Sequence, residues 1–482
     1  MWCEAGWKVW GLVLGVLWCS GVPVGGAVYY VSDSGADERD GLSESAAWRT
    51  LERVNGQELK AGDTVLFRCG DVWRGQLLPH SGDETGYVTY GAYGTGAKPL
   101  LLGSVSRNEE ADWQPEQENL WATAGGIRQD VGNIIMNEGE AVSVKKWGRD
   151  ELKQEGDYWY DGPAGRVWMY LRENPAKRYS SIELALCRHI IDQGGKCYAA
   201  YDGLALRYGA AHGIGGGNVH HITVRNCDIS YVGGGHQFTT AEGHPVRYGN
   251  GIEFWANAHD CLVERCRLWE IYDAALTNQN NGPEVKQYNI AYRHNIIWNS
   301  EYSFEYWNRP ESSLTHHIYF DNNTCVNAGF GWGHGQRPDP SGRHLCFYSS
   351  PAPAEEVYIR NNIFWEAKGN GFYAPGWTPE AVAKLGMDHN CWYHGSGEMI
   401  LLPGRGFGMD QFQEYQKAWG KEAHSICADP RLANAGRGDF RLTAGSGCID
   451  AGMDLGLGAD FEGVAIPQGA AADIGAYEFP KK

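Results

Sequence analysis

The chain has 482 residues, 43% hydrophobic and 21% charged, an ordinary globular composition with length enough for two modules. A formal net charge of −18 argues against nucleic acid and anionic membranes as partners, because both need basic patches. It also disfavours a strongly anionic polysaccharide unless a local basic groove exists.

Residues 1–27 read as a secretory signal, with Lys8, the apolar run VWGLVLGVLWCSGV (9–22) and a small-residue end at Ala27. Cys19 follows Trp18 where lipidation wants a small residue, so no lipid anchor is expected. No later apolar run approaches the ~20 residues of a membrane span. The mature protein is therefore expected to be soluble and secreted, extracellular or periplasmic. Eleven cysteines remain after the signal, an odd number, so at least one stays unpaired or pairs between chains. They show no CxxC spacing, and no metal site is expected. Cys187 and Cys197 are spaced to pair across a short loop, which the sequence does not decide. The acidic stretch DSGADERDG (33–41) offers oxygen ligands to calcium but lacks EF-hand spacing, so no cofactor is expected.

Residues 113–190 carry dense aromatics, among them Trp121, Trp147, Trp159 and Trp168, and alternating runs such as RVWMYLRE (166–173). They read as an inserted β module packed near the N-terminal half, either shaping a cleft or only stabilising. Six segments then line up: VRNCDI (224–229), VERCRL (263–268), YRHNII (292–297), FDNNTC (320–325), IRNNIF (359–364) and MDHNCW (387–392). Apolar residues hold their first and last places, and the fourth holds Cys227, Cys266, Asn295, Asn323, Asn362 and Asn390. The steps are 39, 29, 28, 39 and 28 residues. Such periods indicate a solenoid, and the short, β-branched and aromatic runs bounded by Gly, Asn and Ser make it a β solenoid. Stacked Asn amides can bond to one another and satisfy backbone groups at each corner.

This pattern resembles the right-handed parallel β-helix, the pectate-lyase-like fold of many polysaccharide lyases and glycoside hydrolases. The opening YYVSDSGADERDGLSESAAWRTL with AGDTVLFRCGDVWRG, the run YGAYGTGAKPLLLGS (90–104) and the close LTAGSGCIDAG with ADIGAYEF are similar to secreted β-helix carbohydrate enzymes. The resemblance implies an all-β protein with a cap and first coils at 28–112, the inserted module, and a main β-helix over 191–482 ending in a closing segment. It implies a carbohydrate substrate, and the chain is expected to be a monomer. The fold hosts several chemistries, so the reaction must come from the site.

The rungs following three ladder turns read GIEFW (251–255), AALTN (274–278) and SFEYW (303–307). Aligned so, Ile252, Ala275 and Phe304 face inward, as do Phe254, Thr277 and Tyr306, with a bend between the two sets. Glu253, Leu276 and Glu305 then form an outward column, followed by Trp255, Asn278 and Trp307. The two glutamates lie two rungs apart, ~9.6 Å at ~4.8 Å per rung. If the carboxyls lean together, that spacing suits acid–base hydrolysis of a glycoside with inversion. Trp255 and Trp307 are candidate stacking platforms, with Asn278 beside them. Asp273, just before AALTN, is placed in a column with His212, Asn250 and Tyr302. A third carboxylate there would raise a neighbour's pKa, so Asp273, Glu305 and Glu253 form the candidate catalytic set. His212 reads more readily as a turn residue, although it joins the substrate-binding candidates. Two insertions should wall the groove: 233–250 with His236, His244 and Arg247, and 331–344 with His334, Arg337 and Asp339. GHG at 333–335 also occurs in pectin-cleaving β-helix hydrolases, but their companion motifs are absent. A glycoside hydrolase is the favoured reading. A lyase would need a basic residue from the loops, such as Arg247, Arg337 or His334, and a non-catalytic glycan binder would need no clustered acids.

Overall fold

The computed structural model describes residues 25–349, 353–395 and 397–480, so the signal segment lies outside the described residues. Successive coils each contribute a strand to three long sheets of ten, ten and nine strands. One coil runs through Ile252–Trp255, His259–Glu264 and Arg267–Ile271, and the next through Ala274–Asn280, Lys286–Arg293 and Ile296–Trp298. Each strand pairs in parallel with its counterpart one coil on. The chain is a right-handed parallel β-helix. Sheets I, II and III are named here for the strands containing 259–264, 267–271 and 252–255.

The six repeat segments are the corners between sheets I and II. Their apolar first and last residues, from Val224 and Ile229 to Met387 and Trp392, fill the interior at no more than 5% exposure. The residue before each ladder position sits in the left-handed region, with φ between 49° and 56° at Asn226, Arg265, His294, Asn322, Asn361 and His389. That conformation costs energy for a side-chained residue, and the amide column offsets it. Asn323 receives Asn295's backbone N–H and Nδ2 on its Oδ1 at 2.9 and 3.0 Å, and donates its own Nδ2 to the Tyr292 carbonyl at 3.0 Å. Asn362 and Asn390 repeat the pattern. Cys227 and Cys266 head the column, both fully buried. Glu422 caps its far end, accepting from Asn390 Nδ2 at 3.0 Å and Trp392 Nε1 at 3.2 Å.

Cys187 and Cys197 do not pair. Cys187 lies against the Tyr248 hydroxyl, Cys197 against the Gly82 carbonyl, and all eleven described cysteines are free thiols. Of the acidic stretch, Asp37 accepts from Arg49 N, Thr50 N and Thr50 Oγ1, which fixes the start of the short helix Leu51–Asn55 that packs Leu51 and Val54 into the first coils. Strands from Ser104–Ser106 to Ile182–Leu186 form two sheets of four and five strands beside the coils, antiparallel except where Val144–Lys146 runs parallel to Asp157–Asp161, with an apolar centre that includes Ile134, Tyr158, Val167 and Leu184. No helix among the described residues is long and apolar enough to cross a membrane.

The steps of 39 residues have one structural cause. The corner from sheet II to sheet III is two residues long after Ile271 and three after Trp298, but it expands into 233–251 before one coil and 329–342 before another. Both expansions occur at the same corner, three coils apart, with two short corners between them.

Candidate active site

The two short corners carry acids. Asp273 occupies one and Glu301 the other, and they align across neighbouring coils, since Ala274 pairs with Tyr302. The long insertions close over them. In the first, Gly235–Thr239 and Pro245–Tyr248 form a hairpin. Its Arg247 donates to the Gly234 carbonyl at 2.7 Å, to Gly132 O of the inserted module at 2.8 Å and to Gln336 Oε1 of the second insertion at 3.1 Å. The second insertion is anchored by Trp332, whose backbone N–H donates to Glu270 Oε2 at 2.9 Å, and by His334 Nδ1, 2.9 Å from Glu301 Oε2. Glu301 Oε1 also accepts from the backbone of Ser341 and Gly342 at 2.6 and 2.9 Å. This anchoring delivers Arg337, whose Nη1 lies 3.2 Å from Asp273 Oδ1 and 3.0 Å from the Tyr272 carbonyl, with its guanidinium 5.1 and 5.6 Å from the rings of Tyr272 and Tyr302. The inserted module braces both walls: Asp130 accepts from His236 N at 2.7 Å and pairs with Lys145, while Ser143 O accepts from Gln336 Nε2.

Glu253 and Glu305 share the outward column of sheet III, two coils apart, as expected. The member between them is Thr277, not Leu276. Ile252 and Phe254 both face inward by simple alternation, as do Leu276 with Asn278 and Phe304 with Tyr306, and the strands need no bend. Outward does not mean exposed: Glu253 is 8% and Glu305 7% accessible beneath the walls. Glu253 Oε2 lies 3.1 Å from His212 Nε2 and accepts from Asn250 Nδ2 at 3.2 Å. His212 Nδ1 accepts from Asn250 N at 2.9 Å, so its proton is on Nε2 and is donated to Glu253. Burial, reinforced by His189 stacked at 4.8 Å, keeps this imidazole neutral far below its usual range. Both donors converge on Oε2, leaving Oε1 of Glu253 to carry a proton.

Burial is the dominant influence on all three carboxyls. It pushes Glu253 up to about 8, opposed by the Asn250 hydrogen bond and assisted by the Asp273 charge. It lifts Glu305 well above the carboxylate range, with Asp273 and Glu253 adding and Arg337 and Gln279 opposing; Gln279 Nε2 donates to Glu305 Oε2 at 2.5 Å. Asp273 is also raised by burial, but Arg337 opposes this first among its neighbours and Glu301 adds. Asp273 is thus the member with a cation in contact, and its charge reaches both glutamates. It begins four residues upstream of the Glu253–Thr277–Glu305 column, at the turn, and aligns with Glu301 and Gly249 rather than with Tyr302, Asn250 and His212.

The remaining candidates divide. Trp255 and Trp307 lie half-buried two coils apart in the next outward column, ring centroids 5.9 Å apart, with Gln279 between and the Arg309 guanidinium 4.1 Å from the Trp307 ring. Asn278 is a correction: it faces the core, fully buried, and donates to Gln287 Oε1 at 3.0 Å, so it cannot touch a substrate in the groove. His212 is buried and holds Glu253 rather than facing solvent. His334 Nδ1 and Arg247 fasten the walls, and Arg337 pairs with Asp273 through Nη1 while its Nε lies 3.9 Å from Glu301 Oε1. His236 stays half-exposed on the hairpin, its Nε2 3.0 Å from Thr239 Oγ1 and its ring against Trp147. Asp339 is exposed on the second insertion and adds negative potential at Asp273. Glu301, Gln279 and Asn250 join the site without having been anticipated as functional.

No family model matches the chain. A stretch of 117 residues, 22% of the chain, is 32% identical to a lacto-N-biosidase of Bifidobacterium longum subsp. longum, and it spans 6% of that protein's length. Similar solved structures include one described as a glycoside hydrolase (10% identity, TM-score 0.46, 78% of this chain and 94% of that one) and the pectate lyase Pel9A (13%, 0.42, 94% and 96%). A GH136 lacto-N-biosidase from Eubacterium ramulus is similar at 16% identity and a TM-score of 0.40 over 78% of this chain and 65% of that one. Each TM-score is below 0.5, and the strand order carries the fold.

Proposed function

We propose that the protein is a glycoside hydrolase that acts on a poly- or oligosaccharide outside the cytoplasm. The observation that carries the proposal is the cluster of three carboxyls beneath two walls: Glu253 and Glu305 lie buried in one outward column, where burial favours their protonated forms, and Arg337 lies 3.2 Å from Asp273. Such a division of environments sets acid and base roles at one pH. Glu305 gives its proton to the glycosidic oxygen as the bond from that oxygen to the anomeric carbon breaks. Asp273, charged beside Arg337, takes a proton from the water whose oxygen bonds to that carbon. Glu253 keeps Glu305 protonated by adding negative potential whenever it ionises. Trp255 and Trp307 offer faces to sugar rings along the groove.

A lyase needs a free base and a cation for a uronate carboxylate. On the two walls Lys145, Arg247 and Arg337 are engaged with Asp130, with backbone carbonyls and with Asp273, which favours hydrolysis; Arg309, against Trp307, makes no ion pair among the described residues, and it keeps a uronate-directed lyase as the second reading. The test is product formation from a panel of neutral and uronate glycans. New reducing ends without unsaturated-sugar ultraviolet absorbance, lost in Glu305→Gln while substrate still binds, are expected. Absorbance appearing with the ends would overturn hydrolysis, and unchanged turnover in Glu305→Gln would overturn the assignment of the acid.

A further inference from the structure

Ten of the 26 arginines of this acidic chain form an ion pair among the described residues, as Arg74 does with Glu183, Arg225 with Asp202 and Arg360 with Asp321. Three that do not are gathered at one place. Where the inserted module meets the first coils, a depression of about 350 Å³ is lined by Arg107, Arg128 and Arg188, together with Gln129, Ile127 and Leu186. That is within the size range of small-ligand sites, ~300–1,000 Å³. Among the described residues none of the three makes an ion pair. Arg107 Nη1 donates only to the neighbouring Ser106 carbonyl, Arg188 Nε is buried with no hydrogen-bond partner, and Arg128 is exposed. Glu52 acts on Arg188 without reaching ion-pair distance, and an anion in the depression would meet three guanidiniums that have no paired carboxylate.

The depression adjoins the groove wall. Gln129 precedes Asp130, which holds the hairpin through His236 N. Arg188 precedes His189, whose ring stacks on His212 beneath Glu253. The whole-chain charge of −18 opposes a polyanion at long range, whereas a cluster of this kind acts within about one Debye length, ~8–10 Å. We propose that this depression is a subsite for a single anionic substituent, a carboxylate or a sulfate, on an otherwise neutral glycan lying in the groove. The inference rests on the hydrolase reading for the groove but not for the binding.

The experiment is isothermal titration of the full chain with matched probes: a glucuronate disaccharide and its methyl ester, galactose 6-sulfate and galactose, and inorganic sulfate. At least one charged sugar is expected to bind ten times more tightly than its neutral twin, and Arg128→Ala and Arg188→Ala should each abolish that preference. Which pair responds distinguishes a carboxylate from a sulfate. Arg128 is exposed, so its variant reports on the site even if Arg188→Ala disturbs folding. Equal binding of charged and neutral twins would overturn the proposal. So would a preference that survives both substitutions, or inorganic sulfate binding as tightly as the charged sugars. No turnover is needed, so failure of catalysis in Glu305→Gln and failure here are separate results.

Discussion

Glu253→Gln should make the folded chain more stable at alkaline pH, and the size of the effect follows from the site. The folded carboxyl keeps its proton up to about 8, whereas the unfolded chain releases it near the ordinary 4.5. Between those values the folded state holds the extra proton. Its contribution is fully present below 4.5 and is lost as the pH rises through 8. At 1.36 kcal/mol per pH unit the gap corresponds to about 5 kcal/mol. Glutamine has no such proton, and its side-chain oxygen still accepts from His212 Nε2, so the variant escapes the loss. The Asp273 charge is already part of that shift, so the advantage of the variant approaches about 5 kcal/mol once the pH has passed 8. The assay is urea unfolding followed by Trp fluorescence at steps from pH 4.5 to 8.5. The wild type should lose stability relative to the variant at every step. A difference that stays constant with pH would refute the argument, and so would a variant that becomes relatively less stable on raising the pH. In the same variant the alkaline limb of activity should move to lower pH, because Glu305 no longer feels a second carboxylate.

Arg337→Ala removes the cation in contact with Asp273 and one anchor of the second insertion; kcat is expected to fall about a hundredfold or more, and the acid limb of the pH profile should rise as Asp273 becomes harder to ionise. An unchanged acid limb would show that Asp273 does not depend on Arg337. Asn362→Ala deletes four amide hydrogen bonds, to Asn323 N, Asn323 Nδ2, the Phe320 carbonyl and Asn390 Oδ1, in a fully buried column. Unfolding free energy should drop by about 4 kcal/mol, since unpaired buried groups cost roughly 1–3 kcal/mol each and neighbours recover part. A loss under about 1 kcal/mol in the urea midpoint would contradict the ladder's role. Trp255→Ala and Trp307→Ala should raise KM several-fold with little change in kcat, and an equal fall in both parameters would remove the stacking role.

The solenoid was legible because its signal repeats: six corners give the same pattern of apolar ends and a polar or small fourth place, and errors at one corner are corrected by the others. The site was legible in part, and one slip explains two of its failures. Reading Ala275 as inward and Leu276 as outward placed Asp273 opposite Tyr302. The true register puts Leu276 inward and Asp273 opposite Glu301, so the second corner acid was passed over although it stands four residues before Glu305. The slip was invited by Asn278, a polar residue that faces the core because Gln287 satisfies its amide there. Alternation of apolar and polar residues fails at such a paired interior amide. Arg337 and Asp273, 64 positions apart, meet only because two long insertions sit at one corner, which the unequal steps hint at and single rungs cannot.

Two unpaired acids inside the coil would be costly, and the register avoids that. The walls then impose the same cost from outside, leaving each glutamate under a tenth exposed. A sheet that merely needed solvent-facing residues would gain by filling those positions with Thr or Ser, as the intervening coil does at Thr277. Keeping two acids there, with a third charge at Asp273 that makes both harder to ionise, sacrifices stability at neutral pH. Such a local expense, set where two insertions and an inserted module converge, is what a site selected for proton transfer rather than for folding would carry.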